Sequence, residues 1–229
     1  MSLAITDLPQ QATPSPKKWL AVSIFLAIIG LVLFFTLYYS VATGGFLTHL
    51  DTSVHHWIVA HRTLTLTPAV QFITDILAPG TLAVVTIISA GLWALAKKEL
   101  WRPGLLVAAM GFTLALSTGI KLVAQRGRPP TEVMVLPLET DFSFPSGHTI
   151  GVAVALLVLG YLLYSRRSST GRLATWIIVT IAGISVIAFT RLYLGYHWLT
   201  DVSASACLAL VALAIVMAVD HFFRPTTAV

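Results

Sequence analysis

Six long apolar blocks run through this chain, divided by short polar segments. The blocks cover 19–41, 70–96, 103–125, 147–165, 172–190 and 199–219. Each is close to the ~20 residues a helix needs to cross a bilayer. The second is long, and Pro79-Gly80 either kinks it or shifts its start. Between the first two blocks, Phe46, Leu50, Val54, Trp57 and Ile58 recur at helical spacing, with Asp51, His55 and Arg62 between them. That pattern predicts a short amphipathic helix lying in the interface, with Trp57 at headgroup depth. The expected fold is therefore all-α: a polytopic membrane protein of six transmembrane helices and one short interfacial helix. Residues 1–16, with Pro9, Pro14 and Pro16, read as a disordered cytoplasmic tail, and 17–224 as one transmembrane domain. Ser40-Val41-Ala42 weakly resembles a signal-peptide cleavage site. The preceding apolar run is longer than the roughly 7–15 residues usual there, so it reads as an uncleaved helix.

Composition supports this reading. Hydrophobic residues make up 57% of the chain, charged residues 10%, and the mean hydropathy is +0.87. A soluble domain carries charge on about a quarter of its residues. The net charge of +5 is consequently a topology signal and implies no nucleic-acid partner. Lys17, Lys18, Lys97, Lys98, Arg102, Arg166, Arg167, Arg172 and Arg224 fall on one side of a six-span arrangement. Arg62, Lys121, Arg126, Arg128 and Arg191 fall on the other. The positive-inside rule then puts both termini in the cytoplasm of a multi-pass protein of the inner or plasma membrane. The lone Cys207 lies in an apolar run, which excludes an internal disulfide and a cysteine-based metal site. His55, His56 and His61 are better read as ordinary residues than as metal ligands, because adjacent histidines cannot share one helical face.

Three polar clusters stand out. All fall on the outer side in this topology. Lys121 and Arg128-Pro129 bracket the end of the third block, where a lysine and an arginine can converge on phosphate oxygens. Snorkelling anchors would look the same. Pro145-Ser146-Gly147-His148 opens the fourth block, where a helix start presents unpaired N–H groups to an anion. Here Ser146 can cap the helix or donate to a phosphate, and Gly147 permits close approach. The third cluster is Arg191, His197 and Asp201. The last two, four residues apart, share a helix face. A carboxylate on one imidazole nitrogen fixes the tautomer and frees the other as a nucleophile. Charged groups this close to a bilayer point to function by default.

These three clusters, in this order and spacing, resemble the signature motifs of the type 2 phosphatidic acid phosphatase (PAP2) superfamily, and the six-span layout agrees over nearly the whole chain. One departure is Thr190, where the family usually has serine before the arginine. Its hydroxyl is retained, so little loss of phosphate binding is expected. The resemblance implies His197 as nucleophile, forming a phosphohistidine, with Asp201 orienting it. His148 would be general acid and then base. Lys121, Arg128 and Arg191 would hold the phosphoryl oxygens, completed by Ser146 and the Gly147 N–H. It implies no metal and no cofactor. The expected activity is hydrolysis of a lipid (di)phosphate that enters from the bilayer. Undecaprenyl diphosphate is preferred, ahead of phosphatidylglycerophosphate and phosphatidic acid. A lipid-to-lipid phosphotransferase would use the same residues. A vanadate haloperoxidase is disfavoured by the six spans, and an inactive lipid carrier by the retained histidines. Glu132, Glu139 and Asp141 read as a solvated loop, with a headgroup gate as the alternative.

Overall fold

The computed structural model describes residues 16–165 and 170–224, so most of the expected tail, with Arg166 and Arg167, lies outside the described residues. Eight α-helices occur among them: α1 (Pro16–Thr43), α2 (Phe46–Ala60), α3 (Thr67–Ile76), α4 (Pro79–Lys97), α5 (Trp101–Ala124), α6 (Gly147–Tyr164), α7 (Thr170–Tyr193) and α8 (Leu199–Phe223). No strand is present among the described residues. Six helices, α1 and α4 to α8, are long and apolar enough to cross a membrane.

The second apolar block is two helices rather than one kinked helix. Ala78 is extended (ψ 145°) and Pro79 occupies the first turn of α4. A residue before proline disfavours the helical region, whereas proline is well suited to a first turn. The span therefore starts at Pro79, and α3 stays outside it, packed against α7.

α8 is the most enclosed span. It is flanked along its length by α1 and α6, and α6 in turn contacts α5 and α7. Close approach depends on small residues. A methyl group at Gly30 of α1 would lie 2.8 Å from Val211 Cγ2 and 2.9 Å from the Cys207 carbonyl of α8. At Gly160 it would fall 2.0 Å from Trp176 Nε1. The core joins Phe34, Leu105, Phe144, Ile150, Val154, Leu208 and Ala212, with Cys207 in the same cluster. Phe25, Ile28, Leu92 and Ile178 face outward, as lipid contact permits.

The interfacial helix is present as α2, but two of its polar residues are buried. Asp51, His55 and Ile58 face the protein, while Phe46 and Trp57 are exposed. The apolar positions divide between the faces, Ile58 and Val54 packing inward, and the inner face is completed by Asp51, which bonds Thr200 of α8 and Arg126 beyond α5. At the opposite end of the bundle, Trp101 Nε1 and the Tyr161 hydroxyl donate to Asp220 at 2.8 and 2.9 Å, tying α5, α6 and α8 together.

Candidate active site

The three clusters lie at one end of the bundle, each at a helix terminus. α5 ends at Gln125, whose left-handed backbone (φ 44°) turns the chain sharply, with its N–H donating to the Lys121 carbonyl at 2.9 Å. Arg126 and Arg128 follow at once on this turn. Between α7 and α8 the chain reverses at Gly195 (φ 78°), and a methyl group there would sit 3.1 Å from the Val133 carbonyl. The turn folds back on α7: the N–H groups of Tyr196 and His197 donate to the Arg191 carbonyl at 3.0 and 3.3 Å. This fixes His197 beside Arg191.

Lys121, Arg128, Gly147, His148 and His197 line one cavity of about 390 Å³. Ser146 is one layer behind it. That residue is fully buried and caps α6 by accepting from Thr149 N (3.4 Å) and Oγ1 (3.1 Å). Its own N–H donates to Ser205 of α8 at 2.9 Å. Arg191 is buried at the edge of the site, its guanidinium 4.4 Å from the Tyr196 ring centre. Its Nη1 donates to Thr74 at 3.0 Å. The Thr190 hydroxyl donates to the Ile187 carbonyl at 2.8 Å and lies 3.3 Å from the Thr74 hydroxyl, so it braces Arg191 from behind.

His197 Nδ1 lies 3.3 Å from Asp201 Oδ2, and Arg128 Nη1 lies 3.3 Å from Nε2. A guanidinium can only donate, so Nε2 presents a lone pair and Nδ1 carries the proton directed at Asp201. Burial, then the charges of Arg191 and Arg128, push His197 well below the usual histidine range. The imidazole is therefore neutral at physiological pH.

Behind this dyad is a network absent from the sequence reading. Arg126 donates to Asp201 Oδ1 and to Asp51 Oδ2, both at 2.5 Å, and to the Thr200 hydroxyl at 2.6 Å. Asp51, reaching across from α2, accepts from Thr200 N at 2.8 Å and from its hydroxyl at 2.7 Å. Trp198 N donates to Asp201 Oδ2 at 2.9 Å. Arg126 had counted only as a loop charge. The available signal was Asp51, a carboxylate within an apolar interfacial segment, which requires a cation.

The acidic loop also departs from expectation. Glu132 is exposed, but Glu139 and Asp141 are not simply solvated. Asp141 pairs with Lys121 at 2.7 Å and with Arg128; Glu139 pairs with Arg128 at 2.7 Å and with Arg191. Burial raises Glu139, but Arg191 and Arg128 outweigh it and hold the carboxyl below its usual range. For Asp141, burial is likewise opposed by hydrogen bonds from Lys121 and Arg128, which bring it down to about 2. Lys121 and Arg128 thus face the cavity rather than snorkelling outward. A second, apolar cavity of about 110 Å³ shares Pro79, Leu114 and Gly147 with the first and runs between α4, α5 and α6.

The PAP2 superfamily model matches residues 102–225. Over 141 residues the chain is 29% identical to Phosphatidylglycerophosphatase B of Bacillus subtilis (strain 168), spanning 61% of this chain and 68% of that protein. The crystal structure of a transmembrane PAP2 type phosphatidylglycerolphosphate phosphatase from Bacillus subtilis is similar in fold. Its TM-score is 0.78 at 22% identity, covering 88% of this chain and 99% of that one.

Proposed function

This chain belongs to the PAP2 superfamily, and from that premise we propose that it is an integral-membrane lipid phosphatase acting through a phosphohistidine. The observation that carries the reading is the cavity itself. Two cations and two histidines line it, and an apolar groove adjoins it at Pro79, Leu114 and Gly147. A phosphate fits the first part and a hydrocarbon chain the second.

In this mechanism the Nε2 lone pair of His197 attacks phosphorus. The bond from phosphorus to the lipid oxygen breaks, and that oxygen leaves with a proton from His148, which takes that proton up as the doubly charged phosphate binds beside it. Asp201 accepts from Nδ1–H and stabilises the imidazolium as it forms. Water, deprotonated by His148, then attacks the phosphohistidine and releases phosphate. Lys121, Arg128 and Arg191 hold the phosphoryl oxygens as charge redistributes. Ser146 acts through the helix start that it caps, leaving the Gly147 N–H for the anion. The reading assigns no metal or cofactor.

Phosphatidylglycerophosphate is the leading substrate, supported by the similarity to Phosphatidylglycerophosphatase B of Bacillus subtilis. Undecaprenyl diphosphate is the second reading, favoured by the compact loops and by a site that the positive-inside rule puts on the outer face. In that arrangement residues 17–224 form one catalytic domain of the inner or plasma membrane, with cytoplasmic termini. Phosphate release by the purified protein from these two lipids and from phosphatidic acid ranks the substrates. No release from any of them refutes the activity. Val133→Cys in a Cys207→Ser background tests the orientation, since an impermeant thiol reagent should label it only from outside.

A further inference from the structure

All three cations assigned to the phosphate are already occupied by carboxylates from one short segment. Asp141 spans Lys121 and Arg128, and Glu139 spans Arg128 and Arg191. Both also line the cavity that holds His148 and His197. The segment is fastened on either side of them. Val135 N donates to the Leu194 carbonyl, and Ser143 N to the Arg126 carbonyl, each at 2.9 Å. Between these anchors Arg128 Nε and Lys121 also hold the Asp141 and Phe142 carbonyls, but Leu136 and Leu138 are exposed, and the Asp141 side chain is 61% exposed. The anchors can remain while the two carboxylates leave.

We propose that Glu139 and Asp141 are a built-in competitor that holds the phosphate site against weakly charged headgroups and yields only to a terminal phosphate. The proposal rests on Lys121, Arg128 and Arg191 being the phosphate ligands. A bilayer surrounds the site with phosphodiester headgroups, each carrying one negative charge on its phosphate. A terminal phosphomonoester carries nearly two at pH 7, spread over three oxygens. Two carboxylates against three cations leave the empty site with a single positive charge. A phosphodiester gains little by displacing them, whereas a phosphomonoester replaces both carboxylates with three acceptor oxygens and comparable charge. Both carboxyls lie below their usual ranges, so the competitor is charged throughout the neutral pH range. Specificity of this kind works by raising the threshold for the wrong ligand.

The test uses Glu139→Gln, Asp141→Asn and the double variant in the purified full-length protein. Inhibition by inorganic phosphate is measured alongside inhibition by phosphatidylglycerol in mixed micelles. Each single variant should bind phosphate on the order of tenfold more tightly, as expected for the loss of a competing charge-assisted hydrogen bond. The double variant should also become sensitive to phosphatidylglycerol. Unchanged or weaker phosphate inhibition would overturn the proposal, because the carboxylates would then be supports for the cations. Lys121→Ala and Arg191→Ala, run in parallel, separate the two readings. If they leave phosphate inhibition intact, the site assignment itself fails. If they weaken it while the acidic variants do not tighten it, only the competitor fails.

Discussion

Arg126→Met removes the one guanidinium shared by two buried carboxylates. Asp51 is 2% exposed and Asp201 fully buried, and Arg126 reaches both at 2.5 Å. Removing one partner of a buried ion pair costs about 3–5 kcal/mol, because the other charge is left uncompensated. Here two charges are orphaned, although each keeps a backbone donor, from Thr200 and Trp198 respectively. Those donors place the total within the same range. That loss shifts the unfolding equilibrium by about two to four orders of magnitude, or about 6–20 °C in Tm for a chain of this size. Asp51→Asn should cost less, since Arg126 keeps Asp201. The double variant Arg126→Met/Asp51→Asn should recover part of the loss, with a coupling of about 0.5–3 kcal/mol. Thermal unfolding in detergent measures all three, and kcat measured in parallel should fall in Arg126→Met with KM little changed, as expected for a residue that positions Asp201. An Arg126→Met protein melting within about 2 °C of wild type would refute the reasoning.

His197→Ala should abolish turnover with every substrate, while His148→Ala loses about 10²–10⁴-fold and regains its first step with an activated aryl phosphate. Alkaline trapping of labelled enzyme checks both, and wild-type labelling of His197→Ala would place the nucleophile elsewhere. Activity should persist in excess EDTA, and loss reversed by Mg²⁺ would favour a metal-assisted hydrolase. Gly147→Ala should melt like wild type, since its methyl would meet only Pro79 at 3.8 Å, yet lose about tenfold or more in rate by intruding on the cavity. Stability should fall as pH drops through about 6.5, the unfolded-state value at which histidine takes up a proton that buried His197 refuses. His197→Gln should flatten the Tm–pH curve between pH 7 and 5, and an unchanged slope contradicts this.

The spans were legible because bilayer-crossing helices depend on length and apolarity, both local properties. The motif residues were legible because charge at helix ends beside lipid is costly and so informative. Arg126, Asp51, Glu139 and Asp141 were not, and for one shared reason. Each acts through a partner on another element, at separations of 149 residues for Asp51–Thr200, 75 for Arg126–Asp201, 52 for Arg191–Glu139 and 20 for Lys121–Asp141. Nothing in local periodicity reports such a pairing. The orientation of α2 was missed on the same grounds: its apolar spacing identified a helix, but its inner face is set by Arg126 and Thr200. The shifted start at Pro79, by contrast, was one of the two alternatives read from the sequence, because extended backbone before a proline is a local rule.

The site's charges divide into two groups, and the division fits the chemistry proposed for it. Arg126 faces Asp51 and Asp201, so this group, adjoining His197 Nδ1, keeps one net negative charge. Lys121, Arg128 and Arg191 face Glu139 and Asp141, so the group at the cavity keeps one net positive charge. The imidazole stands between them, with Nδ1 toward Asp201 and Nε2 toward Arg128. Before reaction burial, reinforced by the cationic group, keeps His197 unprotonated, with the lone pair available. When Nε2 bonds to phosphorus, the ring becomes cationic and the phosphoryl group brings its own negative charge. The negative group then stabilises the ring and the positive group the phosphoryl oxygens. Once the phosphate has displaced Glu139 and Asp141, the three cations and the rear group keep their places through the reaction, which is the condition for preorganised electrostatic stabilisation. Reversing one charge in the rear group, as in Asp51→Lys, should therefore slow phosphohistidine formation more than it weakens phosphate binding. Single-turnover rates and phosphate inhibition, measured on the same variant, separate the two effects. Equal losses in both would mean that the two groups do not act separately.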